Sequence, residues 1–267
     1  LMLGARRLVA DSPRHRRLHR RRVQLITRRF EDPRVLCVES YPDECWTFCN
    51  TIALAAVRIG DALDGTDHSA LIARWLATAR ERLTDPRTGM LASSYTTRGR
   101  VGDGPEGSSI WLAAHCLQLL DPALARHQYR LARLHLGRSV LGFGYAREWP
   151  EGTDAFVDVD SGPIVPGLGA SPGSSGLALV AAAAFGDRPF FRQLTTTLEL
   201  AAFPVEGAGG GRRFAASNQV GDAVMLYAMV LGPAWERTRA LLAARPRASG
   251  GPDRDCGTGR GGQEHRS

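Results

Sequence analysis

Apolar residues recur every three to four positions through most of this chain, and the helices they imply come in pairs separated by polar loops. That spacing constrains the fold more than any other feature. "CWTFCNTIALAAVRIGDALDG" stops at Gly65, and "DHSALIARWLATARERL" follows at once. "SSIWLAAHCLQLLD" and "PALARHQYRLARLHLGR" form a second pair, with Pro122 in the favoured first-turn position. "SSGLALVAAAAFGD" with "PFFRQLTTTLELAAF" forms a third, and "QVGDAVMLYAMVLG" with "PAWERTRALLAAR" a fourth. One more helix, over 14–30, precedes them. Strand patterns are confined to short pieces near "GMLASSY" and "RRFAAS". The expected fold class is all-α.

The pairs repeat. Asp43, Glu106, Asp160 and Asp222 each lie in the polar loop just before the first helix of a pair, at separations of 63, 54 and 62 residues. One helix out and one back returns the chain to the same end, so the four loops should meet on one face. The first helices are apolar nearly all round and suit an inner layer, while the Arg-rich second helices suit an outer one. This describes an α/α toroid with a pocket where the inner helices begin, and helix N-termini point their partial positive charge into it. The domain is expected over 1–245, with a disordered Gly-, Pro- and Arg-rich tail over 246–267. The chain opens "LMLGARR" without Met at position 1, so N-terminal helices of the toroid are expected to be missing.

At 43% hydrophobic and 23% charged, the 267 residues read as globular. The net charge is +7, and every basic residue is Arg. Most of the excess sits in "RRLVADSPRHRRLHRRRVQLITRR" and in the tail. No zinc-finger or RNA-binding signature accompanies the Arg run, so it reads as a solvated helix face with no nucleic-acid partner. No apolar run reaches the roughly 18 residues of a spanning helix, so no membrane span is expected. The five cysteines, at 37, 45, 49, 116 and 256, make no disulfide framework in a chain this long. That favours a reducing, cytoplasmic compartment, although a signal segment would be lost with a missing N-terminus.

The loops carry the chemistry. "SYPDECWTFCNT" puts Tyr41, Asp43, Trp46, Cys45 and Cys49 around one helix start. Asp43 is placed to cap that helix by accepting a backbone N–H two or three residues on. Cys45 and Cys49, at i and i+4, would share a helical face, but no matching His pair follows and no metal is expected. Cys49, beside Asn50 and one turn inside the loop, is the more interesting thiol. The third loop, "REWPEGTDAFVDVDSGPIVPGLGASPGSS", is long enough to suggest function. In it Asp158 and Asp160 alternate and point the same way; carboxylates sharing a pocket push their pKa values apart and can divide the roles of acid and base. A turn-capping role for Asp160 is the plainer alternative. His115, mid-helix, reads as a core histidine. Asp43, Cys49, Tyr95, Asp160 and Glu106 are the candidate catalytic residues. Tyr41, Trp46, Trp111, Trp149, Asp158, Asn218 and Asp222 are candidates to bind a small-molecule substrate. No Walker loop, GxGxxG or HExxH occurs, and no cofactor is expected.

The stretch "YPDECWTFCNTIALAAVRIGDALDGTDHSALIARWLATARERLTDPRTGML" resembles the C-terminal part of the linalool dehydratase-isomerase family. It carries the family's Pro-Asp, a Cys-Asn at the same spacing, and a run similar to "HGTDY…ARAWL…DPERG". Weaker matches are "SSY" at 93–95, "DPALARHQY" at 121–129, "DVDSG" at 158–162 and "GDRPFFRQL" at 186–194. The resemblance implies an (α/α) barrel and cofactor-free acid/base chemistry on a small isoprenoid alcohol. Family members interconvert a tertiary and a primary allylic alcohol and dehydrate the former to a diene. Of the two cysteines that bracket the family's active-site loop, the second falls on Cys49 and the first on Ser40. Tyr95 matches a pocket tyrosine. The family also uses an Asp, a His and further tyrosines from an N-terminal region without a counterpart in these residues. A glycan-active α/α barrel (hydrolase, lyase or epimerase) and a non-catalytic binding barrel are the alternative readings. A homo-oligomer is left open.

Overall fold

The computed structural model describes residues 1–30, 37–153, 162–207 and 209–244. Among them the protein is mostly helical, as the periodicity dictates. In chain order the helices are α1 (Met2–Val9), α2 (Pro13–Phe30), α3 (Thr47–Asp64), α4 (Ser69–Arg82), α5 (Gly107–Leu117), α6 (Pro122–His135), α7 (Pro172–Phe185), α8 (Arg188–Ala201), α9 (Gln219–Met229) and α10 (Pro233–Ala243). Three short antiparallel pairs accompany them. β1 (Cys45–Trp46) pairs with β2 (Ser94–Tyr95), β3 (Gly137–Val140) with β4 (Phe143–Ala146), and β5 (Pro204–Glu206) with β6 (Arg212–Phe214).

Punctuation residues set the helix bounds. Gly65 and Gly186 close α3 and α7 in the left-handed conformation, with φ of 78° and 71°. Asp121, Ser171, Asp187 and Asn218 cap α6, α7, α8 and α9 by accepting backbone N–H bonds. Three sequence expectations are corrected. Helix α1 was not foreseen. Helix α3 begins at Thr47, so Cys45 lies on the extended strand β1 and shares no helical face with Cys49. The helix expected to run to Arg138 ends at His135, and β3 and β4 follow. Leu141 and Gly142 both have positive φ, 50° and 86°, which is the two-residue turn whose twist matches a hairpin.

Helix α5 is central. It packs on α3, on α6 and on α7, and α7 packs in turn on α9. The α5–α7 approach is close enough that a Cβ at Gly107 would lie 1.9 Å from Ser174 Oγ and 2.5 Å from the Arg147 carbonyl, so only glycine fits. Trp75, Trp111 and Phe190 are among the largest side chains fully buried in the main core. A second cluster joins Leu8 of α1, Ala55 and Ile59 of α3, Cys116 of α5 and Trp235 of α10.

A buried ion pair fixes the first two helices on the end of α3. Arg7 donates to both carboxylate oxygens of Asp64 at 2.8 Å, and Arg20 donates to Asp64 at 2.9 Å. Burial acts to raise the Asp64 pKa, but the hydrogen bonds from Arg7 and Arg20 outweigh it and hold the carboxyl below its usual range. His19, against the Arg7 guanidinium at 2.9 Å, is pushed down to about 4, first by burial and then by that charge.

Candidate functional site

The segment before α3 is a clipped loop. Cys37 and Cys45 form a disulfide, a pairing that the reading of no disulfide framework did not foresee. Asn50, fully buried on α3, accepts the Val38 N–H at 2.8 Å and donates to the Val38 and Trp46 carbonyls at 3.2 and 2.8 Å. Between these ties the chain reverses at Tyr41–Glu44, whose backbone groups pair at 3.2 and 3.0 Å. Pro42 and Asp43 occupy the turn. Asp43 has φ of 56°, a conformation that Asp tolerates better than most residues.

Asp43 does not cap α3. Trp46 occupies the cap position, with no side-chain hydrogen bond. The Asp43 carboxylate instead accepts the Thr97 backbone N–H at 3.1 Å and the Thr97 hydroxyl at 2.5 Å, at the surface. Those two bonds, side chain first, hold its pKa below the usual range.

A cavity of about 770 Å³ opens between this loop, α3 and the start of α5. Trp46, Phe48 and Ala53 give it apolar walls. Glu39, Ser40, Tyr41, Cys49, Glu106 and Ser108 supply its polar groups. The structure thus brings Tyr41, Trp46, Cys49 and Glu106 of the sequence-derived set onto one site. It also sets Ser40 and Cys49, the positions that the resemblance implied for two family cysteines, on the same cavity.

Glu106 is 2% exposed and precedes the first residue of α5. Its backbone N–H donates to Ser93 Oγ at 2.9 Å. A second buried carboxylate, not singled out from the sequence, lies beside it. Glu148, 1% exposed, accepts the Ser108 N–H at 3.0 Å and the Ser108 hydroxyl at 2.5 Å through Oε1. Its backbone carbonyl accepts the Gly107 N–H at 2.7 Å. Oε2 has no hydrogen-bond partner among the described residues. Glu148 therefore serves the unpaired N–H groups at the start of α5, a role that Glu106 at the cap position leaves open. The only sequence signal for it was membership of the long third loop, because the contact spans 40 residues.

Other candidates lie elsewhere. Trp111 is in the core: it stands edge-on to Tyr129 at 6.0 Å and donates to Ser174 Oγ at 3.1 Å. Tyr95 is buried on β2, accepts from Trp75 Nε1 at 3.3 Å, and has its pKa raised by burial. Neither lines the cavity. Trp149 is half-buried, with its indole N–H unpartnered among the described residues. Asn218 is exposed and caps α9 through the Val220 and Gly221 N–H groups. Asp222 is half-buried in the first turn of α9. Asp158 and Asp160, like the tail over 246–267, fall outside the described residues.

His115 is a core histidine, as its place in the helix implied. It contacts Tyr227 Oη at 2.8 Å and stacks on Trp235 at 4.4 Å, and burial pushes its pKa down to about 4. Among the described residues no three His, Cys, Asp or Glu side chains come together as a metal-ligand set, and no helix is long and apolar enough to cross a membrane.

The cavity offers two carboxyls, Glu39 and Glu106, a thiol, a phenol and hydroxyls against an apolar wall. That set suits proton transfer to and from a small, largely apolar molecule. Residues 17–219 match the family model described as linalool dehydratase/isomerase.

Proposed function

Since the chain belongs to the linalool dehydratase/isomerase family, we propose that it is a lyase/isomerase acting on a small isoprenoid-like alcohol with its own side chains as acid and base. The scaffold for this is an (α/α) toroid-like arrangement with α3, α5, α7 and α9 as inner helices. Their successive packing supports that arrangement.

The observation that carries the reading is Glu106, a buried carboxyl on an apolar-walled cavity that also holds Cys49 and Tyr41. Glu106 gives its proton to the substrate hydroxyl as the C–O bond breaks. Water departs with the bonding pair and leaves an allylic cation. The Glu106 carboxylate then takes a proton from an adjacent carbon. That C–H pair becomes the new double bond of a diene, and the carboxyl returns to its starting state. If water instead adds at the far end of the allyl system and gives its extra proton to the Glu106 carboxylate, the isomeric alcohol forms and the carboxyl is restored. Cys49 and Tyr41 hold the hydroxyl and the departing water. Trp46 and Phe48 keep bulk water from the cation. Asp158 and Asp160 remain candidates for a second carboxylate, with Glu148 positioning the α5 end of the site.

The test is turnover of linalool, read by gas chromatography as diene and primary alcohol. Glu106→Gln, with its circular dichroism unchanged, is expected to lose at least ~100-fold in turnover, the scale of one acid/base group. Cys49→Ala is expected to lose less. Full turnover in Glu106→Gln would overturn the assignment of that carboxyl. A wild-type protein inert toward every allylic isoprenoid alcohol offered would overturn the reaction class.

A further inference from the structure

Helix α2 presents an outward face that neither the core nor the candidate site uses. It carries eight arginines and no acidic residue. Two of them are paired with carboxylates, Arg16 with Asp11 and Arg20 with Asp64. Arg14, Arg17, Arg21, Arg22, Arg28 and Arg29 are exposed and make no ion pair among the described residues. The inward face is a separate stripe, with His19, Val23, Thr27 and Phe30 buried.

Helical geometry arranges the outward groups. At 3.6 residues per turn, Arg14, Arg17, Arg21 and Arg28 fall within an arc of about 100° together with Leu18 and Leu25, and the stripe is about 21 Å long. Leu18 and Leu25 are 40% and 44% exposed, on the same face as these arginines. An Arg stripe made only for solubility has no use for them. A nucleic-acid backbone would engage the guanidinium groups and leave the leucines in water. An anionic lipid surface takes both: phosphates pair with arginine, and leucine enters the boundary of the acyl region.

The stripe also ends at the site. A second cavity of about 630 Å³ is lined by Arg28 and Arg29 at the end of α2 and by the clipped loop. Val38, Glu39, Ser40 and Tyr41 line both this cavity and the candidate site. We infer that the outward face of α2 docks the protein on anionic phospholipid membrane surfaces, without spanning them, with the mouth of the site turned toward the bilayer. The docking stands on the face alone. Its use, delivery of an apolar alcohol dissolved in the bilayer, rests on the function proposed above.

Sedimentation of the full chain with vesicles tests this. Vesicles of phosphatidylcholine and phosphatidylglycerol in equal parts should carry the protein down, pure phosphatidylcholine should not, and added salt should weaken the binding. Arg17→Gln with Arg21→Gln should weaken it about thirty-fold, at roughly 1 kcal/mol per arginine near such a surface. Leu18→Ser with Leu25→Ser keeps the charge and should also weaken it. Circular dichroism checks that each variant is folded, and single Arg17→Gln serves if the double variant is not. Equal binding to both vesicle types, no binding to either, or unchanged binding in the arginine variants would overturn the inference. So would a duplex oligonucleotide that binds more tightly than the anionic vesicles and displaces the protein from them. Vesicle binding is measured without substrate, so its failure is distinct from a failure of the lyase/isomerase reading.

Discussion

Asn50 is the most informative residue to remove, because three hydrogen bonds from one buried amide hold the cavity wall to α3. Asn50→Ala leaves the Trp46 carbonyl at the start of α3 and both backbone groups of Val38 without their side-chain partner. Val38 is half-buried, so water replaces part of what is lost there. With each buried group left unsatisfied costing about 1–3 kcal/mol, and solvent recovering a share, the expected loss is about 2–3 kcal/mol. The disulfide holds the same segment. It joins residues separated by 8 in sequence, and chain-entropy scaling gives about 2.5 kcal/mol for a loop of that size. Once the segment is free, the second tie has less to hold. Asn50→Ala combined with Cys37→Ser and Cys45→Ser should therefore fall short of the summed losses by about 1 kcal/mol or more. Asn50→Asp should be worse than Asn50→Ala at neutral pH, because it turns a carboxylate toward two carbonyls. The assay is guanidinium unfolding of each variant, followed by circular dichroism. A loss below about 1 kcal/mol for Asn50→Ala, or full additivity in the combined variant, would refute the reasoning.

Three further outcomes are expected. Asp64→Asn should destabilise by about 3 kcal/mol, since it leaves a buried guanidinium with Asp11 as its one counter-charge among the described residues. The Asp64 carboxyl is depressed in the folded state, so its contribution is present above about pH 4 and lost as pH falls below it; acid unfolding of the variant should be correspondingly flatter. His115 is depressed to about 4, so folding is favoured above about pH 6.5 and weakens as pH falls toward 4, by up to about 3 kcal/mol for this group. His19 acts in the same direction, so His115→Gln should remove only part of the slope between those limits, and an unchanged slope would contradict the burial argument. Trp111→Ala should cost about 3–5 kcal/mol as a core truncation, while Trp111→Phe should leave turnover of linalool nearly intact. A large loss of turnover in the folded Phe variant would move Trp111 back to the substrate.

The features legible in the sequence were those written in local chemistry. Asp121 before Pro122 and Gly186 after Phe185 are bounds that any helix there would need, and the structure uses them so. The paired spacing was read for Asp43, Glu106, Asp160 and Asp222; of these Glu106 lines the cavity, and Tyr41, 65 positions before it, lines it in place of Asp43. What failed depended on partners far along the chain. Trp111 was placed on a pocket because tryptophans often line one; its burial follows from Phe190 and Ser174, which the sequence does not show as neighbours. Cys45 was read as helical because apolar periodicity continues through it, while pairing with Tyr95 draws it into an extended strand. Glu148 was passed over because its meaning lies in the first turn of a helix that begins 41 positions earlier. Helix α1 was missed because Arg6 and Arg7 make its period look polar, although Arg7 is buried on Asp64.

The clipped loop separates what the cavity recognises from what keeps the protein folded. Its shape is set by the bond between Cys37 and Cys45, by Asn50, and by backbone pairing across Tyr41–Glu44. The side chains of Ser40 and Tyr41 are exposed and take no part in those ties. Substitutions there change the cavity at little cost in stability. Under the function proposed above, a lineage or an engineer can therefore vary the ligand at these two positions without first acquiring compensating mutations in the core, and libraries aimed at new alcohols belong there before they reach the helices.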